Sequence, residues 1–190
     1  MWRETIKYNP DIHHRRSIRL QGYDYSLLGA YFVTICTQNR VCLFGEIADG
    51  KIVLNNAGKI AQQCWLEIPN HFPNVSLDEY VIMPNHVHGI IIINGNDDKT
   101  NMNNVGVQNF EPLQIKQNQF RKIIPRSIGT IIRGYKIGVT KWFHQNTNIN
   151  NVWQRNYYEH ILRNEESLNQ IRQYIINNPI NWQSDENYSD

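Results

Sequence analysis

The chain has 190 residues, of which 41% are hydrophobic, enough for one domain with a sizeable core and too few to favour two independent domains. Its three cysteines show no metal-type spacing and argue against a disulfide framework or a zinc knuckle, so a reducing cytoplasm is expected. The longest apolar run, residues 89–93, is far too short to span a bilayer, and no membrane partner is expected.

The net charge of +2 is small, but the charges are unevenly distributed. No acid occurs between Glu111 and Glu159, whereas acids gather at residues 159–166 and 184–190. The acid-free stretch carries eight cations: Lys116, Arg121, Lys122, Arg126, Arg133, Lys136, Lys141 and Arg155. This asymmetry favours a polyanionic partner, although a solvated surface that happens to be basic would show the same pattern.

The first half of the chain alternates strand and helix patterns. Residues 30–37 are rich in aromatic and β-branched residues and predict a strand, whereas residues 51–54 form a short strand at most. Helical periodicity then runs from Ala57 to Ile68, with Asn55 or Asn56 as the N-cap and Pro69 at the end. Residues 77–83 and 86–93 predict a hairpin, with the second strand central because it is apolar on both faces.

The second half begins with an Asn-rich stretch, residues 95–111, which predicts a surface loop or insertion. An apolar stripe from Ile128 to Phe143 then predicts a helix, residues 152–162 a strand, and residues 165–178 a last helix ended by Pro179. The order βα, β-hairpin, αβα is that of a ferredoxin-like α+β fold with one extra helix.

His86 and His88 lie two residues apart at the start of the predicted central strand. Alternate residues of a strand point to the same face, so both imidazoles can reach one metal ion. Two structural histidines at a strand edge would give the same spacing, which is weak evidence by itself.

The context of this pair is more specific. Residues 80–90 (YVIMPNHVHGI) resemble the His-hydrophobic-His signature of the HUH single-tyrosine transposases. Residues 31–40 (YFVTICTQNR), 127–141 (SIGTIIRGYKIGVTK), 153–163 (WQRNYYEHILR) and 174–179 (YIINNP) resemble, in order, blocks of the REP-associated tyrosine transposases. The likeness covers about residues 20–182.

The resemblance implies an HUH endonuclease fold: a ferredoxin-like sandwich with an antiparallel sheet, helices on one face and a C-terminal catalytic helix. It would form one domain over residues 1–190, with an N-terminal arm at 1–25 and the insertion at 95–111. The implied activity is that of a metal-dependent single-stranded DNA endonuclease and strand transferase, which recognises hairpins of palindromic repeats and cleaves through a 5′-phosphotyrosine.

The resemblance also assigns Tyr174 as nucleophile and Asn178 as a third metal ligand beside His86 and His88. Positions i and i+4 share one face of a helix, which agrees with this pairing, although a core tyrosine followed by a C-terminal Asn has the same pattern. Tyr157 and Tyr158 are rival nucleophiles, but they point to opposite faces of a strand, so at most one could face the histidines.

Mg²⁺ or Mn²⁺ is the expected cofactor, and the imidazole ligands favour Mn²⁺. The expected partner is single-stranded DNA hairpins, bound by a monomer or homodimer through Arg126, Arg133, Lys136, Lys141 and Arg155. Two alternatives remain open: a catalytically inactive, domesticated nucleic-acid binding module, and a phosphoesterase that uses water as nucleophile.

Overall fold

The computed structural model describes residues 24–95 and 126–188. The predicted arm at 1–25 and insertion at 95–111 therefore lie outside the described residues except at their edges, as do Lys116, Arg121 and Lys122.

Six strands and four helices make up the described part of the chain. In order they are β1 (Gly29–Cys36), β2 (Gly45–Ala48), β3 (Lys51–Leu54), α1 (Asn56–Leu66), α2 (Ile68–His71), β4 (Val75–Ile82), β5 (His86–Ile93), α3 (Ile128–Asn146), β6 (Tyr158–Leu162) and α4 (Glu165–Asn177). Single 3₁₀ turns follow β1 (Gln38–Arg40) and α4 (Trp182–Ser184).

Four of the strands form one antiparallel sheet in the order β4-β5-β1-β6. Strands β1 and β5 pair over their whole length, from Gly29 opposite Ile93 to Cys36 opposite His86. Once the β2–β3 hairpin is set aside, this order is that of a ferredoxin-like sheet, so the predicted α+β fold class is confirmed.

The helices divide between the two faces of the sheet. On β5, Val87, Ile91 and Ile93 pack into the core under α1 and α3, whereas Ile90 packs with Leu168 and Ile175 of α4. Because side chains alternate along a strand, His86 and His88 share the α4 side with Ile90. The last helix therefore covers the face that carries the histidines.

Two contacts fix α4 in place. The Asn164 side chain caps its N-terminus by accepting from the Ser167 backbone N–H at 2.8 Å. Two residues before Tyr174, the Arg172 guanidinium donates to both carboxylate oxygens of Asp78 on β4, at 2.9 and 2.6 Å. This pair ties the helix to the far strand of the sheet.

Three predicted elements differ from the structure. Residues 45–54 form a complete hairpin, β2–β3, of which only the second strand was predicted. Helix α1 ends at Leu66, and Pro69 lies in the first turn of α2, where its missing N–H is tolerated. The predicted strand at 152–162 shortens to β6, and its first residues make only an isolated bridge, Trp153 opposite Thr37. The carbonyls of Gln154 and Asn156 then accept from the Lys136 ammonium.

No helix in residues 24–95 and 126–188 is both long enough and apolar enough to cross a membrane.

Candidate active site

His86 and His88 lie close together at the start of strand β5. Both side chains are buried, at 0% and 1% exposure, and their ring centroids are 4.4 Å apart. The strand alternation that the sequence predicted thus places both imidazoles on one face.

The neighbouring Asn85 sets the tautomer of His86. Its amide nitrogen donates to the backbone carbonyls of Arg40 (3.0 Å) and Asn187 (2.8 Å), so its oxygen accepts from His86 Nδ1 at 2.8 Å. His86 Nε2 therefore carries a lone pair, and this buried atom has no hydrogen-bond partner among the described residues. Burial lowers the pKa of His86 to about 4, which keeps the ring neutral.

His88 is held between a strand and the last helix. Its Nδ1 lies 2.9 Å from Thr34 Oγ1 on β1, and its Nε2 lies 3.1 Å from the Tyr174 hydroxyl. Phe32 stacks on the ring with centroids 5.4 Å apart. Burial, and next the adjacent His86, lower the pKa of His88 well below its ordinary value, so it too is a neutral potential ligand.

Tyr174 is the described tyrosine whose hydroxyl reaches this histidine pair. It is 39% exposed, and its O–H donates to Asp185 Oδ2 at 3.2 Å. Partial burial and then the Asp185 charge raise the pKa of the phenol well above its ordinary value. The tyrosine is thus both reachable from solvent and protonated, and its proton already has an acceptor.

Of the rival tyrosines, Tyr158 lies on the histidine face of the sheet, opposite Thr34 on β1, whereas Tyr157 lies beside α3. The Tyr158 ring approaches Phe32 edge-on at 6.2 Å, and Tyr157 lies 5.9 Å below the Lys136 ammonium beside α3. They take opposite sides of the chain, as the strand alternation predicted.

Asn178 follows Tyr174 by one helical turn and is buried at 2% exposure. Its amide nitrogen donates to Asp185 Oδ2 at 2.7 Å, whereas its oxygen has no hydrogen-bond partner among the described residues. Burial lowers the pKa of His86 most, whereas the Asp185 charge and, less, an interaction with Asn178 raise it.

Asp185 is the site residue that the sequence analysis missed. Ligand atoms of His86, His88 and Asp185 all lie within 4.8 Å of one another. Hydrogen bonds from Asn178 and from the Asn187 backbone N–H (2.7 Å) lower the pKa of Asp185 against the effect of burial, so the carboxylate is charged. The acidic end of the chain was its one sequence signal, and nothing local singled out this acid.

These donors fit a divalent cation. Two neutral imidazoles and a carboxylate converge, and the Asn178 amide donates to that carboxylate. His86 Nε2 and Asn178 Oδ1 are buried without a hydrogen-bond partner among the described residues. Unpartnered buried acceptors are costly, and a cation would satisfy both.

A basic groove of about 810 Å³ runs along the outer side of α3. Arg133, Lys136, Lys141 and Arg155 line it together with Ile137 and Tyr157. These cations are four of the five predicted DNA-binding residues. The fifth, Arg126, lies before α3 in the left-handed region (φ 63°) and is not among the lining residues.

Lys136 differs from the other groove cations. Its ammonium donates to the carbonyls of Gln154 (2.8 Å) and Asn156 (3.0 Å), and burial lowers its pKa to about 8. It therefore fixes the segment that carries Arg155.

The groove and the histidine pair lie on different layers, because α3 packs on the sheet face opposite α4. At the end of β1, burial raises the pKa of the Cys36 thiol most, whereas the charges of Arg40 and Lys136 lower it.

The fold is that of the HUH tyrosine transposases. The solved structure of a REP-associated tyrosine transposase bound to a REP hairpin superimposes with a TM-score of 0.55, at 18% identity, over 88% of this chain and 74% of that chain. At that identity the likeness shows the shared fold.

The chain belongs to one family with a Haemophilus influenzae protein described as uncharacterized, which is 50% identical over 188 residues, or 98% of this chain and 99% of that protein. A second H. influenzae protein, named provisionally as a REP-associated tyrosine transposase, is 22% identical over 157 residues, covering 83% of this chain and 73% of its own length. No protein-family model matches the chain.

Proposed function

We propose that the chain is a metal-dependent endonuclease and strand transferase of single-stranded DNA, with Tyr174 as nucleophile. The observation that carries this proposal is the 3.1 Å contact between the Tyr174 hydroxyl and His88 Nε2, beside the bare and buried Nε2 of His86. A core tyrosine has no need of such a polar environment, and Tyr174 is 39% exposed.

The chemistry follows from the position of the phenol. Tyr174 Oη attacks the phosphorus of a DNA phosphodiester, and the bond from phosphorus to the 3′-oxygen breaks. The phenol proton passes to the Asp185 carboxylate, which accepts its hydrogen bond, and the leaving 3′-oxygen takes up a proton from solvent to become a hydroxyl. The 5′-phosphotyrosine keeps the bond energy, so attack by another 3′-hydroxyl rejoins DNA without ATP.

His86, His88 and Asn178 are the proposed holders of the cation. When bound, a divalent cation supplies positive charge for the non-bridging oxygens of the scissile phosphate. The chain contributes orientation: Asn85 fixes the His86 ring, and Thr34 and Phe32 fix the His88 ring. We expect Mn²⁺ to support the reaction at least as well as Mg²⁺, because imidazole suits manganese better.

The proposed partner is a DNA hairpin of a palindromic repeat, bound in the cytoplasm by a monomer or a homodimer. The structurally similar transposase binds a REP hairpin, and this chain carries a groove with Arg133, Lys141 and Arg155 along its rim. Backbone phosphates would meet these cations, while Ile137 and Tyr157 offer apolar surface to unpaired bases.

A labelled hairpin incubated with the protein and Mn²⁺ tests the nucleophile, since only a tyrosine mechanism leaves a covalent protein–DNA adduct on a denaturing gel. Tyr174→Phe removes one oxygen and should abolish the adduct while hairpin binding persists. Tyr158→Phe, the matched control on the same face, and Tyr157→Phe should still form it. Mass spectrometry of the digested adduct would overturn the assignment by finding the nucleotide on another peptide.

His86→Ala tests the cation assignment. It should lose cleavage but keep most hairpin affinity, because affinity would come from the basic groove. Asn178→Ala should be milder. Cleavage by His86→Ala at the wild-type rate would place the cation elsewhere.

A nucleic-acid binding module without catalysis is the second candidate. The observation that favours it is the Asp185 carboxylate 3.2 Å from the phenol, whose charge opposes both phenolate formation and the approach of a phosphate. If the wild-type protein bound the hairpin tightly but formed no adduct in Mn²⁺ or Mg²⁺, the non-catalytic binding module would be the correct function.

A further inference from the structure

We propose that Asp185 is a side-chain ligand of the cation site, so that the C-terminal tail, residues 182–188, is a working part of that site. This inference rests on the proposed function, in which a divalent cation binds at His86 and His88.

The possible ligand atoms converge on one point. One ligand atom each of His86, His88 and Asp185 fits within 4.8 Å, the span of a single coordination sphere. His86 Nε2 and Asn178 Oδ1 have no hydrogen-bond partner among the described residues, and both side chains are at most 2% exposed. Without a cation, these two buried acceptors have no partner and lie near a carboxylate, which is unfavourable for both.

The tail is held against the body of the protein by several contacts. Arg40 Nη1 donates to the Glu186 carbonyl, and Asn187 is buried at 5% exposure. The Trp182 ring, 8% exposed, lies 5.8 Å from the His86 ring between centroids. These three contacts hold the tail in a defined position beside the histidines.

One residue, Asn85, positions both the His86 imidazole and the segment that carries the Asp185 carboxylate. Its oxygen accepts from His86 Nδ1, and its nitrogen donates to the Asn187 carbonyl at 2.8 Å. The Asn187 backbone N–H in turn donates to Asp185 Oδ1 at 2.7 Å. The imidazole and the carboxylate are thus oriented by a single hydrogen-bonded chain, as is usual for groups that share an ion.

A carboxylate changes the chemistry of the site. Oxygen ligands suit both Mg²⁺ and Mn²⁺, whereas two imidazoles alone favour manganese. One negative charge also leaves a bound divalent cation a net charge of about +1 toward the scissile phosphate. The site should therefore accept Mg²⁺ more readily than a His-His-Asn set would.

Co²⁺ binding to the full chain, without DNA, tests the inference by spectroscopy. In the Asp185→Cys variant a coordinating thiolate gives a sulfur-to-cobalt charge-transfer absorption, which a side chain outside the coordination sphere cannot give. The band should appear in Asp185→Cys, disappear when His86→Ala is added, and be absent from the wild type, which controls for the native thiols. Glu186→Cys, one position along, is the matched control and should show no band.

Mn²⁺ titration followed by electron paramagnetic resonance gives a second measurement. Asp185→Asn should weaken binding at least about tenfold, whereas Glu186→Gln should bind as the wild type does. Wild-type affinity in Asp185→Asn, or no charge-transfer band in a folded Asp185→Cys protein that binds Co²⁺, overturns the inference while the His86–His88 site stands. If the wild type binds no divalent ion at all, the metal-dependent function fails with it.

Faster adduct formation by Asp185→Asn at unchanged Mn²⁺ affinity would also overturn it, because the tail would then cover the site instead of completing it.

Discussion

Gly89 lies on β5 directly after His88, and its backbone is packed against the indole of Trp65. A Cβ at this position would lie 2.2 Å from Trp65 Cζ2 and 2.8 Å from Cη2, far inside contact distance. We therefore predict that Gly89→Ala destabilises the fold by steric overlap, and that it disturbs the strand that carries both histidines.

The size of the effect depends on whether Trp65 can move. It is fully buried, and its ring is packed between Tyr80 and Tyr135, with centroids 6.1 and 5.4 Å away. Overpacking a well-packed core costs about 1–3 kcal/mol, and a side chain enclosed on both sides favours the upper part, about 2–3 kcal/mol.

Urea denaturation of wild type and variant would measure this loss. Gly134→Ala on α3 is the matched control, because its nearest atoms belong to Phe72 at 3.7 Å, an ordinary contact. Ala is favoured over Gly inside a helix, so this control should gain about 0.5–1 kcal/mol. Trp65→Phe removes the overlapping atoms, and in that background Gly89→Ala should cost about 1–2 kcal/mol less. Equal stability of Gly89→Ala and wild type would refute the reasoning.

Two further predictions concern charges. Arg172 lowers the pKa of Asp78 mainly through their hydrogen bonds, so this pair stabilises the fold above pH 3.8, the ordinary aspartate value, and the contribution is lost as the pH falls below it. Arg172→Met should cost about 1 kcal/mol in urea denaturation at pH 7, since the pair is partly exposed, and progressively less toward pH 3. In the groove, Arg133→Ala should lower the slope of log K against log salt for single-stranded DNA by about 0.7, whereas Lys136→Met should change it less, because that ammonium is bound to two carbonyls. Arg163 is not among the residues that line the groove. If Arg163→Ala lowered the salt slope as much as Arg133→Ala does, the DNA-binding surface would lie outside the groove.

The sequence by itself determined the parts of this protein that have a local period. Alternation along residues 86–93 placed both histidines on one face of a central strand, and the structure agrees. Helical spacing likewise predicted the last helix and put Tyr174 and Asn178 one turn apart on it. Predictions from periodicity hold in the folded structure because they depend only on the local backbone geometry of a strand or a helix.

The charge pattern of the sequence predicted less of the structure than the hydrophobic periodicity did. The acid-free stretch predicted a basic surface, and four of its cations do line one groove. The sequence did not show that Lys136 is occupied by backbone carbonyls, because those carbonyls become available only when β6 starts late, at Tyr158.

Asp185 was decided by the tertiary structure alone. It lies 99 positions after His86 and beyond the proline that ends α4, with no fixed spacing to any other site residue. Its place depends on the local hydrogen bond from the Asn187 N–H and on two long-range hydrogen bonds that hold the tail, from Asn85 to the Asn187 carbonyl and from Arg40 to the Glu186 carbonyl. The two long-range bonds exist only once the sheet and the last helix have packed together. Candidate ligands can be predicted from the sequence where they share one strand or one helix. Where distant segments of the chain come together, hydrogen bonds between those segments determine which residues reach the site.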